Sequence, residues 1–241
     1  SDDALVASTL ELTEAHTLSF GTGEDALVRI DEPKLSLAGT SAEIHYADGF
    51  TQELNLQILG EHQLMNAAAA MAVAEVLGVD RKQAAGALER MKLAERWRMQ
   101  LDQRADGVFV INDAYNASPD SMKAALQTLA QLGRQGHRTI AVLGEMAELG
   151  EFAIHEHDAI GRLAVRLNID QVVSVGMGAK LIHMGASQEG SWDGESKHFE
   201  TINEALDFVR GMLEPGDVVL VKSSKSANLR LLGDDLMEVS V

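Results

Sequence analysis

Four apolar segments of this sequence are each followed by a cluster of polar residues and glycines. In a parallel sheet, the loops that follow the strands gather at the carboxyl edge, where ligands bind. A loop that only reverses the chain needs small residues, and the glycines here could serve that purpose alone. Acids, amides, hydroxyls and lysines accompany them, which favours ligand binding at this edge. The clusters are residues 112–116, 144–146, 176–178 and 222–226.

Lys222 is the strongest single candidate for a binding residue. It directly follows the apolar segment Val218 to Val221, so we expect its side chain to be buried. A buried ammonium group needs an anionic partner or an anionic ligand. Asp113, Tyr115 and Asn116 also carry polar groups after a predicted strand, where binding a ligand and capping a helix are both open.

Two other patterns predict no site. Gly176-x-Gly178 resembles the start of a dinucleotide-binding loop, but Leu181 occupies the place of the third glycine. His155 and His157 are two residues apart on a predicted helix and point in different directions, so we expect a solvated helix face and no metal site. The sequence also has no Gly-x4-Gly-Lys-Ser/Thr phosphate loop.

The first part of the chain predicts strands followed by two helices. Residues 41–46 alternate, with Ala42, Ile44 and Tyr46 on one face, and Asp48-Gly49 indicates a hairpin before a second strand. Helical spacing begins near residue 60 and ends near Gly78, with the alanine-rich block 67–76 expected to be buried. A second helix is predicted over residues 81–91.

The second part alternates apolar strands with amphipathic helices, which predicts a mostly parallel, Rossmann-like sheet in an α/β fold. Ser118-Pro119-Asp120 is typical of a helix start. The predicted strands are 108–111, 139–143, 171–175 and 218–221, and the predicted helices include 152–167 and 203–212. We place one domain at residues 1–95 and the other at 96–241, with the boundary between Lys92 and Arg98.

The amino-acid composition and net charge disfavour some classes of binding partner. Among 241 residues, 46% are hydrophobic and 24% charged, as in a globular protein, and cysteine is absent. The formal net charge of −17 disfavours nucleic acid and anionic membranes as partners. With no apolar run of membrane-spanning length and no signal peptide, a cytoplasmic location is expected.

Four segments resemble the Mur ligase family. Residues 60–67 (GEHQLMNA) are similar to the family's G-x-H-N-x-x-N-A helix start, and residues 142–150 (VLGEMAELG) and 216–224 (GDVVLVKSS) match later motifs. Residues 113–122 (DAYNASPDSM), preceded by Arg98-Met99, are similar to the branch that joins D-alanyl-D-alanine to UDP-N-acetylmuramoyl-tripeptide.

The resemblance implies an ATP-dependent amide ligase that acts through an acyl phosphate in peptidoglycan precursor synthesis. It implies that the chain begins inside the central ATPase domain, past the phosphate loop, so that this fragment alone is expected to be inactive. The cofactors would be ATP and Mg²⁺, with the magnesium ligands mainly upstream. The small-molecule substrates would be UDP-MurNAc-tripeptide and D-Ala-D-Ala, and the protein is expected to be a monomer.

The resemblance also assigns roles to residues. Gln63 and Asn66 would lie beside the adenine, and Arg98 would reach the phosphates as a catalytic residue. Asp113 would bind the ribose, with Tyr115 and Asn116 completing the nucleotide site. The substrate-binding residues would be Lys222 and Ser224, with the loop 144–148 as a further candidate.

Some positions depart from the family pattern. Gln63 replaces an asparagine, and Ser223 and Lys225 stand where glycine and arginine are usual. A lysine cannot form the planar fork of arginine, so Lys225 is not included in the predicted site. Arg96 is predicted to be a surface charge. Two alternatives stay open: another Mur-type or folylpolyglutamate-type amide ligase, and a non-catalytic nucleotide- or peptide-binding module.

Overall fold

The computed structural model describes residues 2–92, 95–190 and 193–238. By its internal contacts the chain divides into two units, Ser1–Ala94 and Glu95–Val241. The predicted boundary segment, Lys92 to Arg98, includes residues 93 and 94, which lie outside the described residues. Each unit has its own sheet.

The first unit is built on a four-stranded sheet of order β1-β2-β3-β4. Its strands are β1 (Phe20–Gly21), β2 (Val28–Ser36), β3 (Gly39–Tyr46) and β4 (Thr51–Leu56). The Asp48-Gly49 hairpin is confirmed, since β3 and β4 pair antiparallel and Gly49 has a φ of 87°. The predicted face of β3 is also confirmed, because Ala42, Ile44 and Tyr46 are all buried.

Three helices complete the first unit: α1 (Ala4–Ser8), α2 (Glu61–Val76) and α3 (Arg81–Glu89). One face of α2 packs against the sheet through Leu64 and Met71. The expected burial of the alanine-rich block holds for one face of the helix only, because Val73 is 59% and Val76 69% exposed. The reason is geometric: a helix on one side of a sheet buries only the stripe that faces it.

The second unit contains a six-stranded sheet of order β5-β6-β10-β7-β8-β9. Its strands are β5 (Gln100–Gln103), β6 (Phe109–Asn112), β7 (Thr139–Leu143), β8 (Gln171–Val175), β9 (Glu195–Phe199) and β10 (Val218–Lys222). Its helices are α4 (Pro119–Gly133), α5 (Ala153–Arg166), α6 (Lys180–Gln188), α7 (Ile202–Met212) and α8 (Leu229–Leu236). All strand pairs are parallel except β5 with β6, so the mostly parallel sheet is confirmed.

The helices of the second unit form two layers. Helices α4, α5 and α6 contact one another in sequence, whereas α7 and α8 pack together. Right-handed crossovers explain the two layers, because the chain crosses the sheet in one direction from β6 to β9 and then in the other direction to β10. Ser118 caps α4 in a capping box with Ser121, as the helix-start signal predicts. Helices α4 and α8, which follow the neighbouring strands β6 and β10, therefore lie on opposite faces.

One of the two histidines of α5 is not on the solvated helix face that the sequence predicts. His155 is exposed, as expected, but His157 is only 2% exposed and does not belong to a solvated face. Helical geometry turns the two side chains about 200° apart, so one faces solvent and the other the interior. Among the described residues, no helix has the length and hydropathy that a membrane crossing requires.

Candidate active site

The candidate site lies at the carboxyl edge of the second sheet. The loops after β6, β10 and β7 meet there, since these three strands are parallel neighbours. Because α4 and α8 leave β6 and β10 toward opposite faces, the chain forms a switch point at this position. In open α/β sheets, ligands bind in the crevice at such a point.

A buried ion pair joins two of the predicted residues. Lys222 Nζ lies 2.5 Å from Asp113 Oδ2, and it also donates to the carbonyl oxygen of Asn116 at 3.1 Å. The side chains of Lys222 and Asp113 are 3% and 14% exposed. The expected burial of Lys222 is confirmed, and its anionic partner within the chain is Asp113. The ammonium group thereby links the loop after β6 to the end of β10.

The other carboxylate oxygen of Asp113 holds the segment that precedes β5. Met99 N donates to Asp113 Oδ1 at 2.9 Å. Met99 and Trp97 have φ values of 49° and 64°, a backbone region that costs non-glycine residues about 1 kcal/mol or more each. Nothing in the sequence indicates this conformation, because neither residue is glycine or asparagine.

Tyr115 carries two cations on its ring. The guanidinium carbon of Arg98 lies 4.3 Å from the ring centroid, and Lys225 Nζ lies 5.4 Å from it. Arg98 also donates to Glu95 at 2.8 Å and remains 53% exposed. Lys225 was not among the predicted site residues, yet the structure places it against the same ring as Arg98. The predicted surface position of Arg96 is confirmed, since its side chain is 65% exposed and pairs with Asp234.

Ser224 connects the loops that follow β10 and β7. Its backbone N–H and its hydroxyl both donate to the carbonyl oxygen of Glu145, at 2.9 and 2.5 Å. The same loops approach closely at Gly144, where an added Cβ would lie 2.6 Å from Ser223 Cβ. Ser224 is 3% exposed, so its hydroxyl serves this contact between loops.

The first unit contains the other two predicted residues, Gln63 and Asn66, near the start of α2. Asn66 Nδ2 donates to Gln63 Oε1 at 3.1 Å, and the amide of Gln63 contacts the ring of His62 at 3.2 Å. The two side chains thus form one amide cluster on the exposed side of the helix. Their assignment to adenine stays a prediction.

A cavity of about 240 Å³ lies next to the Glu145 loop. Two carboxylates, glycine backbone and apolar side chains line it: Glu145, Val175, Gly176, Met177, Gly178, Glu200, Ile202, Ala227 and Leu229. Throughout residues 2–92, 95–190 and 193–238, no group of three or more acidic, histidine or cysteine side chains converges as metal ligands would. The charged and hydrogen-bonding groups at this edge are suited to binding and positioning a ligand.

Comparison with known proteins identifies the family. The family model described as "Mur ligase, glutamate ligase domain" matches residues 97–225. This match includes the loops after β6 and β7 and the residues Lys222 to Lys225 at the end of β10.

Curated relatives match nearly the whole chain. The UDP-N-acetylmuramoyl-tripeptide–D-alanyl-D-alanine ligase of Mycobacterium tuberculosis is 41% identical over 261 residues, which cover 98% of this chain and 50% of that protein. The Bacillus subtilis protein of the same name is 33% identical over 92% of this chain and 47% of its own length. The chain thus spans about half the length of the curated relatives it matches.

A solved structure agrees with both units. A crystal structure of MurF from Acinetobacter baumannii superposes with a TM-score of 0.84 at 32% identity, covering 98% of this chain and 50% of that one. The family model, the relatives and the solved structure agree, and the chain belongs to the Mur ligase family.

Proposed function

We propose that the chain is part of an ATP-dependent amide ligase that joins D-Ala-D-Ala to UDP-MurNAc-tripeptide in peptidoglycan precursor synthesis. The supporting observation is the similarity, over 98% of the chain, to proteins named for this activity. The segment Asp113 to Met122, which resembles this branch of the family, follows β6 directly at the switch point.

The proposed reaction has two steps. A carboxylate oxygen of the tripeptide attacks the terminal phosphorus of ATP, and ADP leaves. The amine of D-Ala-D-Ala then attacks the acyl carbon, loses a proton, and expels phosphate from a tetrahedral intermediate. A protein accelerates such a transfer mainly by positioning the reactants and stabilising charge.

The residues at the edge of the second sheet suit these tasks. We propose that Arg98, exposed and supported by the Tyr115 ring, contacts the phosphates of ATP. Asp113 and Asn116 would contribute to the nucleotide side and Lys222 and Ser224 to the peptide side, while Gln63 and Asn66 would lie near adenine. Lys225 is added to this proposal as a second cation, because it contacts the same Tyr115 ring as Arg98.

Magnesium would neutralise the phosphates when bound. The described residues offer no group of three or more acidic or histidine side chains that could hold it. A cytoplasmic location and a monomeric state, both expected from the sequence, complete the proposal.

Phosphate release by the complete gene product tests this function. UDP-MurNAc-tripeptide, ATP and D-Ala-D-Ala together should release phosphate, and omission of any one should abolish the release. Release with free diaminopimelate or lysine on a dipeptide precursor, and none with D-Ala-D-Ala, would assign the chain to another branch. Tight ATP binding by the 241-residue chain alone would instead favour a binding module.

A further inference from the structure

One peptide group in the loop after β7 is held at both of its polar atoms. The carbonyl oxygen of Glu145 accepts two hydrogen bonds from Ser224, and the N–H of Met146 donates to His157 Nε2 at 2.9 Å. These atoms belong to the same peptide unit, so its plane cannot rotate without breaking bonds on both sides. We call this arrangement the 145–146 clamp.

The chemistry of His157 fits this contact. A backbone N–H is always a donor, so Nε2 must accept and the ring proton must lie on Nδ1. Nδ1 lies 2.6 Å from the carbonyl oxygen of Ala153, to which it donates. Both ring nitrogens are therefore satisfied in one neutral tautomer. The His157 ring thereby joins helix α5 to the backbone of the loop that follows β7.

The clamp lies beside the groups assigned to the acceptor peptide. Gly144 N donates to the carbonyl oxygen of Lys222 at 2.9 Å, so the hydrogen bonding between β7 and β10 continues one residue past the end of β7. The side chain of Glu145 is exposed and packs over Gly178, where an added Cβ would overlap it. The 145–146 peptide therefore fixes the backbone from which the Glu145 side chain projects.

We propose that His157 and Ser224 are positioning residues for the ligase reaction. They orient the 145–146 peptide, and through it the Glu145 loop, toward the acceptor D-Ala-D-Ala without contacting the dipeptide. This inference rests on the proposed function. It assigns Ser224 an indirect role, since both of its donor groups are engaged with Glu145, and it adds His157 to the residues on which substrate binding depends.

His157→Leu is the direct test, because leucine fills the site but accepts no hydrogen bond. With the peptide free to rotate, only a fraction of molecules holds the loop in its binding orientation, so the KM for D-Ala-D-Ala should rise about tenfold. The kcat should change little, because saturating dipeptide draws the whole population into the binding orientation. In the same variant, the Met146 amide should exchange with solvent about tenfold faster or more.

Two further variants test the same role if His157→Leu does not fold, and a third variant is a control. His157→Gln supplies an amide oxygen that accepts from Met146, so it should partly restore the KM. Ser224→Ala removes one of the two bonds to Glu145 and should raise the KM less than His157→Leu. His155→Leu changes the same residue type on the exposed side of α5 and should alter neither quantity.

The outcomes separate the two proposals. Wild-type KM and wild-type Met146 exchange in folded His157→Leu would overturn the positioning role. If that variant does not fold, an unchanged KM in Ser224→Ala overturns it. If the wild-type gene product does not ligate D-Ala-D-Ala at all, the proposed function fails, while faster Met146 exchange in His157→Leu would still support the clamp.

Discussion

Lys222 Nζ contacts Asp113 Oδ2 at 2.5 Å, although the two residues are 109 positions apart in the sequence. The pair follows from the sheet, because β10 and β6 are parallel neighbours with Val221 opposite Asn112. The next residue of each strand therefore falls at the same level of the carboxyl edge. A buried ion pair of this kind contributes to stability mainly through the cost of leaving either partner alone.

Lys222→Met should destabilise the protein strongly, since it leaves the Asp113 carboxylate buried without its counter-ion. We expect the free energy of unfolding to fall by about 3–5 kcal/mol, measured by urea denaturation. The double variant Lys222→Met/Asp113→Asn, which has no unpaired charge, should lose less than the sum of the two single variants. Strict additivity would show that the two groups do not interact.

Arg98→Ala, unlike Lys222→Met, should leave stability nearly unchanged and impair the use of ATP. The side chain is 53% exposed and its partner Glu95 is 55% exposed, so the pair contributes at most about 1 kcal/mol to stability. If the guanidinium contacts the phosphates, the KM for ATP should rise by an order of magnitude or more while Tm is nearly unchanged. Arg96→Ala, a neighbour that is 65% exposed and paired with Asp234, is the control. Equal effects of the two substitutions on ATP use would contradict the role of Arg98.

The sequence predicted most of the buried strands. β7 and β8 begin and end where the apolar runs do, because strands covered on both faces are uniformly hydrophobic. The edge strands β5 and β9 were not predicted, since their exposed positions carry polar residues. β2 was also missed: Pro33 and charged neighbours interrupt it, and its register shifts between Asp31 and Lys34.

The candidate site was predicted less completely than the fold. Burial of Lys222 followed from its position at the end of an apolar strand, but its pairing with Asp113 depends on which strands are neighbours. The contact of Lys225 with the Tyr115 ring and that of His157 with Met146 depend on loop conformation. Local sequence patterns do not specify such long-range contacts, whereas they do specify burial and helix starts.

A histidine pair at the edge of the second sheet should make stability depend on pH. The rings of His183 and His198 stack at 6.3 Å, with hydroxyl partners Ser196 and Ser174 at 2.7 and 2.8 Å. Burial lowers the pKa of both imidazoles. His198 and nearby lysines lower the pKa of His183 further, and Lys180 lowers that of His198 while Glu200 opposes the shift.

Because unfolding returns both imidazoles to a pKa of about 6.5, the unfolded chain binds more protons below that pH. The stabilising contribution is present above pH 6.5 and is lost as the pH falls through the folded pKa values. Tm should therefore decrease by a few degrees between pH 7.5 and 5.5, and His198→Phe should reduce that decrease. If the Tm of His198→Phe falls with pH as much as that of the wild-type protein, the assignment is contradicted.

Two glycine substitutions should change stability in opposite directions. Gly161 lies where α5 packs against α6, and a Cβ there would overlap the carbonyl oxygen of Ile182 and approach Ala186 N within 2.8 Å. Gly161→Ala must push the two helices apart, which should cost about 1–3 kcal/mol or more of unfolding free energy.

Gly211, on the exposed side of α7, has no atom within 4 Å of an added Cβ. Gly211→Ala should stabilise the protein by about 0.5–1 kcal/mol, because alanine loses less backbone entropy in a helix. Urea denaturation of both variants measures the difference, and a stabilising Gly161→Ala would show that the α5–α6 contact is not limited by backbone approach.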